Sequence, residues 1–399
     1  MTYLLSGASV FFCGGFSDRD INVASLADRS ESVVTVDASK YFVFPGFADV
    51  HVHFREPGFS YKETIASGSA AAARGGFTAV CTMPNLSPVP DCIENLKLQL
   101  DLIKRDARIN VLPFGSITRG QGGAELSDIE ALAPFVCGFS DDGRGVDNTA
   151  LMREAMIRAK AVNKIISAHC EDGTQVKDSP EAEWKEIERD IKLADETGCA
   201  LHICHISTKE SVALIRDAKR SGVDVTCETA PHYLTLSDVE CLDHGRFKMN
   251  PPIRTAIDRD ALLEGIVDGT IDMIATDHAP HSADEKSRGF SGSLNGVVGL
   301  ETSFPILYTE LVKKGVIPLT RLVELMSINP TLRFDIENDG FTVFDLSEEY
   351  TVDPNEFLTM GRSTPFEGRR VFGRCIATVA GGKTVYEDNK FLQKYKSFN

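Results

Sequence analysis

Apolar residues along the chain fall into short runs whose spacing changes twice. Up to about residue 45 the runs are brief and separated by turn residues: Tyr3-Leu4-Leu5, Val10-Phe11-Phe12, Val33-Val34-Thr35-Val36 and Tyr41-Phe42-Val43. This pattern predicts antiparallel strands of a small β-layer. From Gly46 the rhythm becomes strand, loop, helix. Strands are expected at 47–54, 78–83, 109–114, 135–139, 165–168, 200–204, 223–227 and 273–275. Helix-competent stretches lie between them at 63–74, 93–107, 150–163, 181–197, 209–221 and 258–268, with two more at 300–314 and 320–327. Strands that alternate with helices form a parallel sheet, and eight of them suggest closure. The expected class is α/β, a TIM-like (β/α)8 barrel over residues 46–335. Strand-like runs return at 341–344, 350–352 and 376–379. Residues 1–45 and 336–399 are therefore expected to pair into one small β-sandwich beside the barrel.

Composition narrows the class. The 399 residues are 42% hydrophobic and 25% charged, enough to bury a large core. A formal charge of -16 argues against binding a phosphate backbone, which needs a basic footprint. No apolar run reaches membrane-spanning length, and Met1 to Gly7 lacks the basic start of a signal peptide. Ten cysteines occur without a CxxC pair, and Cys81, Cys137, Cys204 and Cys227 sit inside apolar runs. Free cysteines packed as small hydrophobes fit a reducing cytoplasm.

Candidate chemistry starts with Asp49-Val50-His51-Val52-His53-Phe54-Arg55-Glu56-Pro57-Gly58. Residues i and i+2 of a strand share a face, so His51 and His53 point the same way and Arg55 continues their parity. Alone, two strand histidines describe a solvated polar face equally well. The rest of the chain tips the balance. In a barrel, functional side chains gather at the C-terminal ends of the strands. There the sequence places Asn85, Asp141-Asp142, His169, His205 and Asp277-His278-Ala279-Pro280-His281. His51, His53, His169, His205 and Asp277, bridged by one more carboxylate, suit two divalent ions, with zinc favoured by the imidazole content. Two such ions about 3.5–4 Å apart polarise a carbonyl and activate water. Asp277 is then the expected general acid/base. His232 is expected behind the ligands, His202 in the core and His244 in solvent. Asn250, in a Pro-flanked apolar run, is expected at the site, and residues 282–296 in a mobile loop over it.

These motifs together resemble the dihydroorotase family. The resemblance rests on His51-Val52-His53-Phe54-Arg55-Glu56-Pro57-Gly58, Met83-Pro84-Asn85, Ala168-His169-Cys170-Glu171-Asp172, Cys204-His205-Ile206-Ser207-Thr208-Lys209-Glu210-Ser211, Met249-Asn250-Pro251-Pro252 and Ala275-Thr276-Asp277-His278-Ala279-Pro280-His281. It is nearest to the longer bacterial type, whose metals are bridged by an aspartate. It implies reversible cyclisation of N-carbamoyl-L-aspartate to dihydroorotate in pyrimidine synthesis. It also implies metal ligation by His51, His53, His169, His205 and Asp277. Carboxylate recognition falls to Arg55, Asn85 and His281, ring contact to Asn250, and a backbone contact to Gly296. Many relatives bridge their metals with a carboxylated lysine. No lysine lies between Lys104 and Lys160, so Asp141 or Asp142 takes that place, with Asp142 favoured. A homodimer and an aspartate transcarbamoylase partner are further expectations.

Two departures from the family pattern stand out. The stretch from His169 to His205 looks short, and Leu294-Asn295-Gly296 replaces the usual Pro-Phe-Gly. Two other readings compete. A hydantoinase or dihydropyrimidinase would not need Arg55 beside its metals and would usually carry the lysine. A silent scaffold barrel would have lost ligands.

Overall fold

The computed structural model describes residues 1–26 and 30–389; positions 27–29 and 390–399 of the expected composite domain lie outside the described residues. The N-terminal segment forms β1 (Thr2–Phe12), β2 (Gly15–Ala24), β3 (Val33–Asp37) and β4 (Tyr41–Pro45). The two apolar runs expected as separate strands are one, β1. Its hairpin to β2 turns on Cys13 and Gly14, both with positive φ, which matches the twist of the flanking strands. β2 was illegible in the pattern because its middle, Ser17-Asp18-Arg19-Asp20, is exposed and polar, as suits an edge strand. The layer is also not wholly antiparallel, since β3 and β4 both pair with β1 in parallel.

Eight parallel strands follow: β5 (Phe47–Val52), β6 (Phe77–Thr82), β7 (Asn110–Pro113), β8 (Gly138–Phe139), β9 (Ile165–Ala168), β10 (Leu201–Ile203), β11 (Val225–Thr229) and β12 (Met273–Ile274). Residues 135–137, expected in the strand, instead end a 3-10 turn and lead into the two-residue β8. The ladder runs β5-β6-β7 and β8-β9-β10-β11-β12. Single bridges, Gly115 to Phe139 and Val52 to His278, join these arcs into a ring. Every residue of β5 and β6 is buried, as expected for strands covered on both faces. Inside the ring, Ala48, Cys81, Ile165, Cys204 and Met273 pack with Phe334, so several strands contribute to one core. Outside, amphipathic helices cover the strands: α1 (Ile65–Arg74), α2 (Ile93–Asp106), α3 (Ile129–Leu132), α4 (Thr149–Ala161), α5 (Pro180–Thr197), α6 (Lys209–Arg220), α7 (Pro231–Thr235) and α8 (Ala256–Asp268). Side-chain caps at Thr64, Asn148, Ser179, Thr208 and Thr255 fix where α1, α4, α5, α6 and α8 begin.

The C-terminal strands β13 (Phe341–Thr351), β14 (Arg370–Ala380) and β15 (Lys383–Glu387) join the first four in one seven-stranded sheet, ordered β15-β14-β13-β4-β1-β2 with β3 beside β1. The sandwich is this sheet curled on itself. Its two edges meet where the Thr384 hydroxyl donates to the Ala24 carbonyl and the Leu26 N–H to Glu387. Tyr3, Leu5, Val43, Val343 and Ile376 fill the fold between its halves. Sheet and barrel share a phenylalanine cluster: Phe344 lies 4.3 Å from Phe304, 5.7 Å from Phe47 and 5.8 Å from Phe44, ring centre to ring centre. Gly46 sits at the junction because any Cβ there would lie 1.9 Å from Thr78 Oγ1.

Phe344→Ala should cost about 3–5 kcal/mol of stability by leaving a cavity at this joint. Urea unfolding checks it, with fluorescence of Trp184, the one tryptophan, reporting on the barrel and far-UV circular dichroism on the whole chain. Both transitions should move down together.

Candidate active site

The C-terminal ends of the barrel strands deliver polar side chains to one cavity of about 170 Å³. Its walls include His53, Arg55, Asn85, Asp142, His169 and His205, together with Asn250, Asp277, His281, Asn295 and Gly296. His51 lies buried beneath the floor. His51, His53, Arg55, Asn85, Asp142, His169, His205, Asn250, Asp277, His281 and Gly296 are thus gathered at one place.

β5 ends at Val52, and its ladder shifts register between Asp49 and Val52. Such an irregularity re-aims side chains beside a site. His51 Nε2 and His53 Nε2 lie 3.6 and 3.1 Å from the same oxygen of Asp277. Arg55 reaches the cavity differently from the expected strand parity. The strand has ended, and Arg55 turns in with φ 54°. His205 at φ 33° and Asp277 at φ 46° are likewise left-handed, a conformation costing about 1 kcal/mol or more for such residues. Three of these around one cavity mark backbone bent to the needs of its side chains.

Asp141 and Asp142 part company here. Asp141 accepts from the backbone N–H groups of Ile117 (2.8 Å) and Thr118 (3.1 Å) and from the Thr118 hydroxyl, so it secures the loop after β7. Asp142 turns to the histidines. Its Oδ1 is 3.2 Å from His51 Nε2 and 3.5 Å from both His169 Nδ1 and His205 Nε2, while Oδ2 is 3.5 Å from His53 Nε2. Two of the three donor groups among the described residues, His51-His53-Asp142 and Asp142-His169-His205, share this one carboxylate; the third is His51-Cys204-Glu228. Burial acts to raise the Asp142 pKa, but the facing imidazoles outweigh it and hold the carboxyl well below its usual range. Asp277 is likewise lowered, its burial overcome by His53, His51 and His205.

The donors fit divalent cations. His51 Nε2 and Asp142 Oδ1 are buried and have no hydrogen-bond partner among the described residues, though only 3.2 Å apart. His169 Nδ1 and His205 Nε2 face one another at 2.9 Å. Each far ring nitrogen, where the structure shows its partner, meets an oxygen. His51 Nδ1 is 2.7 Å from Glu228 Oε1, His53 Nδ1 is 2.7 Å from Asn85 Oδ1, and His169 Nε2 is 3.5 Å from Glu171 Oε2. An N–H donated to those oxygens leaves the inner nitrogen as a lone pair for a metal.

Glu228 and Glu171 went unnoticed as functional positions. Glu228 is fully buried in β11, one residue past the expected strand end, and a carboxylate inside an apolar strand was the signal available. Besides His51 it holds His202 Nε2 at 3.1 Å, so the expected core histidine supports the site. Burial opposes ionisation of Glu228, yet His51 and His202 bring its pKa down to about 2. Glu171 accepts from the Asn250 amide at 2.9 Å. His232 is buried with Nε2 unpartnered among the described residues, and burial pushes its pKa down to about 4. His244 is exposed and caps a 3-10 turn through Nδ1. The segment 282–296 forms two short helices, Ala283–Lys286 and Gly289–Gly292, and meets the cavity wall at Asn295 and Gly296. Lys286 pins it, donating to the carbonyls of Lys248 (3.0 Å) and Leu294 (2.7 Å). Gly296, at φ 131°, lies where a Cβ would meet the Ala279 carbonyl at 2.6 Å.

A closed (β/α)8 barrel with imidazoles and carboxylates converging at its C-terminal rim, flanked by a sheet from both chain ends, defines an amidohydrolase. Known proteins narrow this. A family model described as dihydro-orotase-like matches residues 40–185. A dihydroorotase of Fusobacterium nucleatum is 47% identical over 381 residues, covering 89% of this chain and 90% of that protein. One from Staphylococcus aureus is 45% identical over 395 residues, 92% of this chain and 93% of that protein. Among solved structures, the L-hydantoinase (dihydropyrimidinase) of Arthrobacter aurescens superposes with a TM-score of 0.85 at 25% identity, covering 96% of both chains. The chain belongs to the dihydroorotase family.

Glu228→Gln should weaken divalent metal binding about 10–100-fold, because it removes the carboxylate that fixes the His51 tautomer. Competition for zinc against a chromophoric chelator measures this, and unchanged affinity would remove Glu228 from the site's machinery.

Proposed function

We propose that this chain catalyses the reversible cyclisation of N-carbamoyl-L-aspartate to (S)-dihydroorotate and water, in pyrimidine synthesis. One observation carries the reading: Arg55 opens onto the same cavity as Asp142, Asp277 and the histidines. A ring that carries a carboxylate has a use for a guanidinium fork at that place, and an uncharged ring has none. That distinguishes the substrate from those of the hydantoinases that share the fold.

His51, His53, Asp142, His169, His205 and Asp277 would hold two divalent ions, with zinc suited to so many imidazoles and Asp142 as the bridge. When bound, such a pair polarises the scissile carbonyl and makes water a better nucleophile. The remaining work belongs to the chain. Arg55, Asn85 and His281 hold the ring carboxylate, while Asn250 and the Gly296 backbone bound the ring. In hydrolysis, the oxygen of water bonds to the ring carbonyl carbon and the carbon–nitrogen bond breaks. Asp277, kept ionised by its imidazole neighbours, takes the water's proton and passes it to the departing nitrogen. Cyclisation runs the same path backwards. Asn295 and Gly296, at the end of the 282–296 segment, wall the cavity and limit water there.

The reading extends to a cytoplasmic homodimer with aspartate transcarbamoylase as a partner to test, supported by the family resemblance. No helix among the described residues is long and apolar enough to cross a membrane.

Zinc-loaded protein should interconvert the two compounds, measured by chromatography from either direction. Asp277→Asn should lower turnover by about a thousandfold. Arg55→Met should raise KM for dihydroorotate by about a hundredfold, the loss of a charge-assisted pair, with metal content unchanged. Brisk hydrolysis of dihydrouracil with none of dihydroorotate would overturn the assignment.

A further inference from the structure

His281 is held at both ring nitrogens, and its partners settle where its proton lies. Nε2 is 2.7 Å from the carbonyl oxygen of Asn295, a group that only accepts. Nδ1 is 3.1 Å from Nζ of Lys62, an ammonium that only donates, and 3.5 Å from Glu285 Oε2, a carboxylate that Lys62 also engages through Oε1. The two shorter contacts, at 2.7 and 3.1 Å, favour the neutral form with its proton on Nε2. Burial and the positive charges of Arg55 and Lys62 push its pKa down to about 3, in accord with a neutral ring.

Lys62 is well placed to impose this state. Its side chain is 11% exposed and also pairs with Glu285 Oε1 at 3.0 Å. Glu285 in turn completes the capping box of the helix Ala283–Lys286, accepting from the Ser282 N–H at 3.0 Å. A cleft of about 270 Å³, lined by Lys62 with Arg55, Asn85 and Arg144, adjoins the cavity. Lys62 thus touches His281 from the side away from the Asn295 carbonyl and adds a second positive charge next to Arg55.

We propose that Lys62 is a positioning residue for carboxylate recognition. By donating to Nδ1 it keeps the His281 proton on Nε2, the atom that meets the substrate's carboxylate. This rests on the substrate assignment above. In the structure that N–H is lent to the Asn295 carbonyl. An incoming carboxylate is the stronger, charged acceptor and takes it over. Without Lys62, Glu285 Oε2, 3.5 Å from Nδ1, is left as an acceptor that competes with the Asn295 carbonyl for the proton and draws it to Nδ1, where it would face away from the carboxylate.

Two readouts test this on zinc-loaded enzyme. Nitrogen-15 spectra of the histidine rings should show His281 in one tautomer, protonated at Nε2. Lys62→Met should replace this by a mixture or by the Nδ1 form, and Lys62→Arg should restore it. In steady state, Lys62→Met should raise KM for dihydroorotate about tenfold while kcat changes less than about threefold, and Lys62→Arg should return KM toward that of the parent. If Lys62→Met does not fold, Lys62→Gln takes its place in both measurements. An active enzyme whose neutral variants keep both KM and the His281 tautomer overturns the role of Lys62. A parent protein with no dihydroorotate turnover instead defeats the substrate assignment, and the tautomer measurement then decides the Lys62–His281 linkage by itself.

Discussion

Burying four imidazoles and two carboxylates in one small volume is costly unless each group is paired. This constraint governs the barrel rim. Glu228, Asn85 and Glu171 stand behind His51, His53 and His169, and each outer contact sets which nitrogen faces inward. Glu228 lies at the centre of this support. It holds His51 on one oxygen and His202 on the other, and the His205 N–H reaches it at 3.4 Å. The inner nitrogens and Asp142 are left facing each other across a space that a cation would satisfy.

Closure of the barrel belongs to the same arrangement. The ladder's two arcs meet where Val52 bridges His278 and where the His53 N–H donates to the His278 carbonyl at 2.8 Å. The seam of the ring therefore runs between one proposed ligand, His53, and the neighbour of another, Asp277. His278 is fixed in turn by the Gly299 N–H at 3.2 Å on Nδ1 and by Glu63 at 3.5 Å on Nε2. Glu63 also receives the Thr359 hydroxyl from the connection between β13 and β14 of the terminal sheet. The composite sheet so contributes to placing Asp277, in addition to covering the barrel's side.

Much of this was legible in the chain. The alternation of apolar strands with helices dictated a parallel ring, since apolar strands covered on both faces leave little choice of architecture. Rim positions then followed from strand ends, which is why His169, His205 and Asp277 could be grouped with His51 and His53. Less was visible where local pattern and tertiary role diverge. β2 is polar because it is an edge, and β8 is two residues long because the apolar run before it goes into a 3-10 turn. Glu228 and Lys62 went unread for a related reason: each acts through a partner more than a hundred residues away, His51 and His281.

The sequence by itself determined the barrel and the residue types placed at its rim, while Arg55 and the lack of a lysine between Lys104 and Lys160 pointed, through the family resemblance, to a carboxylated substrate and an aspartate bridge. Periodicity and residue chemistry are local, so the barrel and its rim can be read along the chain. Tertiary structure decided what depends on direction. It turned Asp142 to the histidines and Asp141 to the backbone, brought Arg55 in by a left-handed turn after the strand had ended, and set Lys62 against His281. Direction is set by which groups converge in space, and neighbours in the chain do not encode it.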